Sequence, residues 1–363
     1  MPECWQLPPQ SDRVRVRVIP TRGWQLGIVT WVSRVVVAEF VPSGATATVL
    51  HQWCEVFAEG QRHLSGTAPT ATALMEMIEA EDNSADVRRW IARDAGTDEV
   101  LGIAQARRNS AEADLAEFRM YVTPHAQRRG VGRALAELAE VDIAGFGVRR
   151  IRVTALVGSA AEHFLGSFDG HRVLLRLANQ VQHLSPPTAH STRPGYRIVS
   201  WRNRTPDELV HSFSEALNRL LDAPGAELQV PERNWGADEV RSWEQKMTGG
   251  SQVLLVCCAV DDSVGEVAAA TVVTVDEHDS THASQHDTVV LPQHRGHGLA
   301  QWIKEQQASV LAAEFPSLRK IYTTVNAENH PMLTVNRSLG YQTVAERILV
   351  EIRRAESAPH KPR

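Results

Sequence analysis

Apolar residues along the chain switch between a period of two and a period near 3.6, and the order in which they switch occurs twice. Residues 35–41 (Val35, Val36, Val37, Phe40, Val41) read as a strand, and 45–60 carries Val49, Leu50, Trp53, Val56 and Phe57 on one helical face. Helical spacing continues over 71–80 and 84–92. Strands are expected at 99–105, 115–122 and 150–156, with a helix over 133–144. After a stretch rich in Ser, Pro and Thr the order returns. It runs as a strand at 196–201, helices at 205–222 and 237–247, strands at 252–260 and 267–275, and a strand ending at Leu291. A helix at 299–313, a strand at 320–325, a helix at 332–338 and a strand at 342–350 complete it.

The repeat is also legible residue by residue. Val122-Thr-Pro124-His-Ala-Gln127-Arg-Arg-Gly130-Val-Gly132 finds its counterpart in Val290-Leu-Pro292-Gln-His-Arg295-Gly-His-Gly298-Leu-Ala300. In each copy a strand ends at a proline, a basic glycine turn follows, and a helix starts directly behind it. Backbone N–H groups without intrahelical partners therefore collect at a helix N-terminus, where the helix dipole also favours negative charge. Gly130, Gly132, Gly298 and Ala300 leave room for a bulky ligand, and Arg128, Arg129 and Arg295 add positive charge. This cradle suits a diphosphate. The third glycine of a dinucleotide fingerprint would fall on Leu135 or Gln301, and there is no G-x-x-x-x-G-K-[ST] loop.

The 363 residues exceed one ordinary core, so two domains are expected. We place a 1–32 extension, an N-terminal domain over 33–180, a linker over 181–194, a C-terminal domain over 195–353 and a 354–363 tail. With 43% hydrophobic and 22% charged residues the composition is globular. A net charge of -5 argues against a nucleic-acid partner and favours a small amine-bearing one. The oligomeric state, monomer or homodimer, stays open. Cys4, Cys54, Cys257 and Cys258 form no disulfide or CxxC pattern, the apolar run 28–41 is too short to span a bilayer, and no export signal precedes it. The expectation is a cytoplasmic protein without a membrane partner.

Gln127-x-x-Gly130-x-Gly132 and Arg295-x-x-Gly298-x-Ala300 resemble the [Q/R]-x-x-G-x-[G/A] acyl-CoA signature of the GNAT superfamily of N-acetyltransferases. The segment from Asn326 through Glu328, Asn329, Met332 and Asn336 to Leu339-Gly340-Tyr341 is similar to that family's strand-to-helix region, which contacts the CoA arm. The two-domain layout resembles tandem GNAT proteins of the mycothiol synthase type. The resemblance implies an α/β fold of two tandem domains, each a mixed, mostly antiparallel sheet flanked by helices. It implies acetyl-CoA as acyl donor, a splayed strand at Thr288, Val289, Val290 and Leu291 whose amides polarise the thioester, and a diphosphate held by Arg295, Gly296, His297, Gly298, Leu299, Ala300 and Gln301. Asn329 and Asn336 would contact the CoA arm. In the first copy Tyr121, Val122, Arg128, Arg129, Gly130, Val131, Gly132 and Arg133 would form the corresponding cradle.

The first copy departs from the pattern behind its turn. Aligned on Gly170 and Gly340, Ser159 stands at the place of Asn329 and Gly166 at that of Asn336. Catalysis is therefore expected in the C-terminal half, with the first half binding CoA or serving structure alone. Many family members carry a tyrosine acid where this chain has Asn336, and an amide cannot donate a proton in that way. The candidate general bases are His286 and Asp287, with Glu328 a further one and a water chain an alternative to all three. His278, His282, His286, His294 and His297 are spread over a loop and the strand behind it, so no metal is expected; His294 and His297 flank the phosphate site instead. Trp235 is a candidate for the substrate cleft. The expected activity is acetyl transfer from acetyl-CoA to a primary amine of a small molecule by direct attack. Two alternatives stand beside it, a non-catalytic acyl-CoA sensor and a transferase of a different acyl group.

Overall fold

The computed structural model describes residues 15–17, 29–32, 35–65, 70–81, 86–109, 112–145, 147–184, 192–222, 234–249 and 251–353. Most of the expected extension, residues 185–191 of the expected linker and the tail lie outside the described residues. The chain divides into two compact units, Met1–Leu174 with Arg347–Arg363, and Leu175–Glu346.

The first unit runs β1 (Arg15–Arg17), β2 (Val29–Val32), β3 (Val35–Glu39), α1 (Ala47–Ser65), α2 (Ala71–Ala80), β4 (Val87–Asp94), β5 (Val100–Arg108), β6 (Leu115–Val122), α3 (Val131–Ala144), β7 (Arg150–Leu156) and α4 (Ala160–Leu165). Strands β1 to β7 lie side by side in chain order, antiparallel except for the parallel pair β6 and β7. One face of the sheet buries Trp90, Leu101, Ala104 and Ala116 against Leu135, Leu138 and Ile143 of α3. Trp53, Phe57 and Leu50 of α1 cover Phe40, Ile91 and Ile103 in a second apolar cluster.

Strand β8 (His171–His183) carries the chain into the second unit. There follow β9 (Tyr196–Arg202), α5 (Val210–Asn218), α6 (Ala237–Met247), β10 (Gln252–Asp261), β11 (Val267–Asp276), β12 (His282–Val290), α7 (Leu299–Glu314), β13 (Lys320–Asn326), α8 (His330–Ser338) and β14 (Gln342–Arg353). The strand order is β9, β10, β11, β12, β13, β8, with β12 and β13 the parallel pair. Both units are thus mixed, mostly antiparallel sheets flanked by helices, as the resemblance implies. β10 and β11 are buried along nearly their whole length and read as near-continuous apolar runs, interrupted in β11 by Thr271 and Thr274.

Two elements differ from their sequence reading. Residues 84–92 were expected as helix, yet Val87–Asp94 is a strand paired on both sides, with β3 and with β5. Arg88 and Arg89 interrupt the apolar run and imitate a helical polar face; in the fold Arg89 is buried and held by Glu81 Oε2 at 2.8 Å and Gln105 Oε1 at 3.2 Å. Ladder pairing on two sides overrides local spacing. The other difference lies at 179–183, where the expected N-terminal domain gives way to the linker expected from 181. Asn179 to His183 pair with β13, and the Asn179 and Gln180 side chains are 5% exposed. Thr324 Oγ1 donates to Asn179 Oδ1, and Gln182 Nε2 donates to Leu339 O at 2.7 Å, so the amides serve the interior.

The units therefore do not follow a contiguous division at 181–194. Residues 175–183 supply the last strand of the second unit, and residues 347–353 supply the last strand of the first by pairing antiparallel with β7, Arg347 opposite Leu156 through Arg353 opposite Arg150. Ile348, Val350 and Ile352 fill a cluster with Ala155, Leu165 and Phe168. Between them Glu351, 2% exposed, receives Arg150, Arg152 and Arg353. Burying each of the three aliphatic chains contributes roughly 2 kcal/mol, which together approaches the whole stability of a small domain. A fragment comprising residues 33–180 alone is accordingly expected to lack a cooperative thermal transition by circular dichroism. A sharp two-state melt of that fragment would show the C-terminal strand to be dispensable.

Candidate functional site

In the second unit the chain leaves β12 through a 3₁₀ turn at Pro292–His294 and enters α7 at Gly298. Gly296 and Gly298 hold φ values of 85° and 71°, the left-handed region that glycine reaches without steric penalty. A Cβ at Gly296 would meet no atom within 4 Å, and at Gly298 it would point at the Arg193 guanidinium. The turn is thus open backbone at Gly296 and is overhung by a guanidinium at Gly298, ahead of a helix N-terminus, a place that favours anions. Arg295 Nε donates to Val290 O at 3.3 Å and so braces the turn. His297 is exposed, whereas Leu299 is buried in a core cluster and has only its main chain to offer. Ala300 is small and half-buried, and Gln301 Nε2 donates to Glu305 Oε1 at 2.8 Å.

The strand before the turn breaks its ladder. β12 pairs with β13 only at His282, Ala283 and Ser284, so beyond Ser284 that side of the strand has no ladder partner. On the other side the register with β11 jumps between Thr271 and Val273: Thr288 faces Thr271 and Gln285 faces Val273. His286 and Asp287 therefore form a bulge opposite Val272, of the kind that re-aims groups beside active sites. Gln285, 7% exposed, supports it from within: Nε2 donates to Val272 O at 2.8 Å and to Thr271 Oγ1 at 2.9 Å. Thr288 Oγ1 lies 2.9 Å from Thr271 Oγ1, and the Val289 side chain is buried in the core. Val290 and Leu291 are half-buried and pack against core clusters.

Both candidate bases thus sit on the bulge. His286 Nε2 is 2.7 Å from Thr274 Oγ1. Although the ring keeps an exposed edge, protein atoms crowd it and withdraw hydration, which lowers its pKa; the charge of Asp287 opposes that shift. Asp287 is half-buried and Glu328 is exposed. Among the described residues no cluster of His, Cys, Asp or Glu is arranged to hold a metal ion.

The segment behind β13 differs from what was expected of it. Asn329 caps α8, its Oδ1 accepting from Met332 N at 3.2 Å. Asn336 is 0% exposed, with Nδ2 donating to Gln180 Oε1 at 2.8 Å and Oδ1 buried without a hydrogen bond. Its side chain is turned into the interior and faces β8, so it is not set to meet a ligand arm. Trp235 packs against Trp243 and exchanges two hydrogen bonds with Asn218. Sequence reasoning missed Gln285 and Gln180, because a buried amide has no periodic signature, and Arg193, because it stands far outside the motif.

The first unit repeats the turn. Gln127 Nε2 donates to Val122 O at 3.2 Å, the counterpart of the Arg295 brace. Gly130 caps α3 at φ 84°, and Arg128 takes φ 61° where the other copy has Gly296, a conformation that costs a non-glycine residue about 1 kcal/mol. Arg129 is exposed, Arg133 half-buried, Val131 is core, and a Cβ on Gly132 would make ordinary contacts with Met120 and Val122. Strands β6 and β7 also part after Phe118, but β5 and β6 pair without a register shift, so there is no bulge. The Tyr121 ring packs onto Gly60 and Phe57, and its hydroxyl donates to Gln61 Oε1 at 2.9 Å. Ser159 caps α4 as Asn329 caps α8.

The sequence profile of the acetyltransferase (GNAT) family matches residues 50–167 and again 217–341, more than half of the chain. The chain belongs to the GNAT family. Its chemistry is accordingly acyl transfer, in a tandem GNAT arrangement. A solved tandem GNAT protein from the clavulanic acid biosynthesis pathway aligns with a TM-score of 0.72 and 21% identity, covering 89% of this chain and 100% of that one. The GCN5-related N-acetyltransferase from Sphaerobacter thermophilus aligns at 0.66 and 16%, covering 90% and 98%. At such identities the likeness is one of fold. No curated relative matches the chain at a significant level.

Two GNAT cradles with different strands behind them give a direct comparison. Gly298→Val forces a β-branched residue into the left-handed region and fills the turn, so CoA affinity by calorimetry should fall at least tenfold, with a much smaller effect on turnover from Gly130→Val. Equal loss of turnover would show both units to be catalytic. Gln285→Leu leaves bulge carbonyls unpaired; a destabilisation of about 1–3 kcal/mol in denaturant melts, with a fall in kcat, is expected.

Proposed function

We propose that the unit Leu175–Glu346 transfers an acetyl group from acetyl-CoA to a primary amine of a small molecule by direct attack. The observation that carries this reading is the ladder break in β12 immediately ahead of the α7 cradle. Acetyl-CoA would bring an activated thioester. The turn 295–301 would hold its diphosphate, and the side of β12 left without a ladder partner between His286 and Val290 would donate backbone N–H bonds to the pantetheine arm and the thioester carbonyl; the Leu291 N–H is already given to Ala268 O at 3.0 Å. Donors fixed in place before reaction favour the charge that develops on that oxygen, and they need no reorganisation.

For the incoming amine, the bulge would supply the base. With Nε2–H donating to Thr274, the His286 ring keeps the lone pair of Nδ1 and can take a proton from an ammonium, and its lowered pKa keeps it neutral near pH 7. The buried Asn336 supplies no acid for the departing thiolate; a CoA thiol is a fair leaving group without one. Cys257 and Cys258 are buried on β10, and burial pushes the Cys257 thiol up to about 12, which supports direct attack over a covalent acyl-enzyme. The net charge of -5 suits a cationic acceptor. Among the described residues no helix is long and apolar enough to cross a membrane.

Release of free CoA thiol, followed against a panel of amines, tests the activity. CoA binding without thiol release from any amine would make the chain an acyl-CoA sensor instead, a reading that the internal placement of Asn336 favours. Comparison of acyl-CoA donors of increasing chain length tests the acetyl assignment. If His286 is the base, kcat/KM falls as the pH drops through a limb centred below the ordinary histidine value of 6.5. Asp287→Asn removes the charge that holds this pKa up and should move the limb to still lower pH, while His286→Gln should abolish it. A profile unchanged by both substitutions would exclude an ionisable base on the bulge.

A further inference from the structure

The few residues that lead into β9 lie against the α7 cradle, although they precede it by about a hundred positions in sequence. Tyr196 OH is 3.0 Å from His294 Nδ1, and its ring stands edge-on to His294 and tilted over His297, with centroids 5.7 and 5.9 Å apart. Tyr196 also packs with Leu299, Trp302 and Ile303 of α7. Its backbone N–H donates to Arg193 O at 3.1 Å, so the anchored tyrosine fixes the bend that carries Arg193.

The Arg193 guanidinium reaches over Gly298: Nε and Nη2 lie 3.6 and 3.7 Å from the place where a Cβ of that residue would be. Among the described residues its guanidinium makes one hydrogen bond, from Nη1 to the neighbouring Thr192 O at 3.1 Å. Among the described residues no carboxylate pairs with it. A half-buried cation is thereby set against the positive end of a helix, beside the unpaired N–H groups of its first turn. The helix dipole and the guanidinium repel each other, and like charge at that end is the reverse of ordinary helix electrostatics. An anion lying between them would turn both interactions favourable at once.

We propose that Arg193 is a phosphate-binding residue, whose guanidinium closes over the diphosphate of the acyl-CoA at the α7 N-terminus. This rests on the acyl-CoA reading of the cradle given above and adds to it a ligand from outside the glycine motif. Arg193 makes ground-state contact to a group remote from the thioester, so it acts on binding and not on the chemical step.

The test is calorimetry of Arg193→Ala, Arg193→Lys and Gly298→Val with CoA, dephospho-CoA and pantetheine, alongside acetyl-CoA kinetics. Arg193→Ala should weaken CoA and dephospho-CoA equally, by about tenfold or more, and leave pantetheine unaffected; the lysine variant should recover part of the loss. KM for acetyl-CoA should rise with kcat unchanged. A loss seen with CoA but not with dephospho-CoA would move the contact to the 3′-phosphate and overturn the assignment. Wild-type affinity in Arg193→Ala, with affinity lost in Gly298→Val, would remove Arg193 and leave the cradle standing. Wild-type affinity in both would remove the cradle itself.

Discussion

A sheet is stable when each strand's backbone groups find partners on both sides, and β12 gives up that arrangement from Gln285 onward. Its ladder with β13 ends at Ser284, and its ladder with β11 slips by the bulge at His286 and Asp287. Main-chain groups in a protein interior rarely go unpaired, so the break persists because other contacts hold it open. Gln285 occupies the carbonyl of Val272, Thr288 meets Thr271, and Val289 anchors the strand in the core. The acyl-transfer reading follows from this edge and from the turn that continues it.

The two copies share the turn and differ in the strand that precedes it. Both keep the left-handed glycine at the helix start and a side-chain brace from the turn to the preceding strand. The bulge belongs to the second copy, and with it come His286 and Asp287. In the first copy the aromatic ring of Tyr121 is committed to α1. A duplicated motif therefore sits on two strands of different geometry.

Each unit draws its last strand from outside its own half of the sequence. Residues 175–183 of β8 complete the second sheet, and residues 347–353 of β14 complete the first. Glu351 illustrates the consequence: a buried carboxylate on the last strand takes Arg150 and Arg152 of β7 as partners beside Arg353 of its own strand, so its burial is compensated only once the two strands have paired. Each sheet must recruit its last strand from a distant part of the chain, which raises the entropic barrier to assembly.

How much of this was legible depends on the range of the interaction involved. The duplication, the glycine turns, most strands and helices, and the GNAT resemblance rest on spacing and on the backbone demands of single residues, which act over a few positions and are written locally. Helix α2 and strands β6 and β7 fall at their expected bounds for that reason. The strand at 87–94, the burial of Asn179, Gln180 and Asn336, and the lowering of the Lys304 pKa to about 7 as it packs over Tyr341 have no local sign, because each depends on partners brought in from elsewhere. The sequence by itself determined that two glycine turns open helices at matching places and where they lie. Only the tertiary structure decided which strand is bulged, which amides turn inward and that Arg193 stands over Gly298, since ladder register, burial and long-range charge are properties of the assembled sheet.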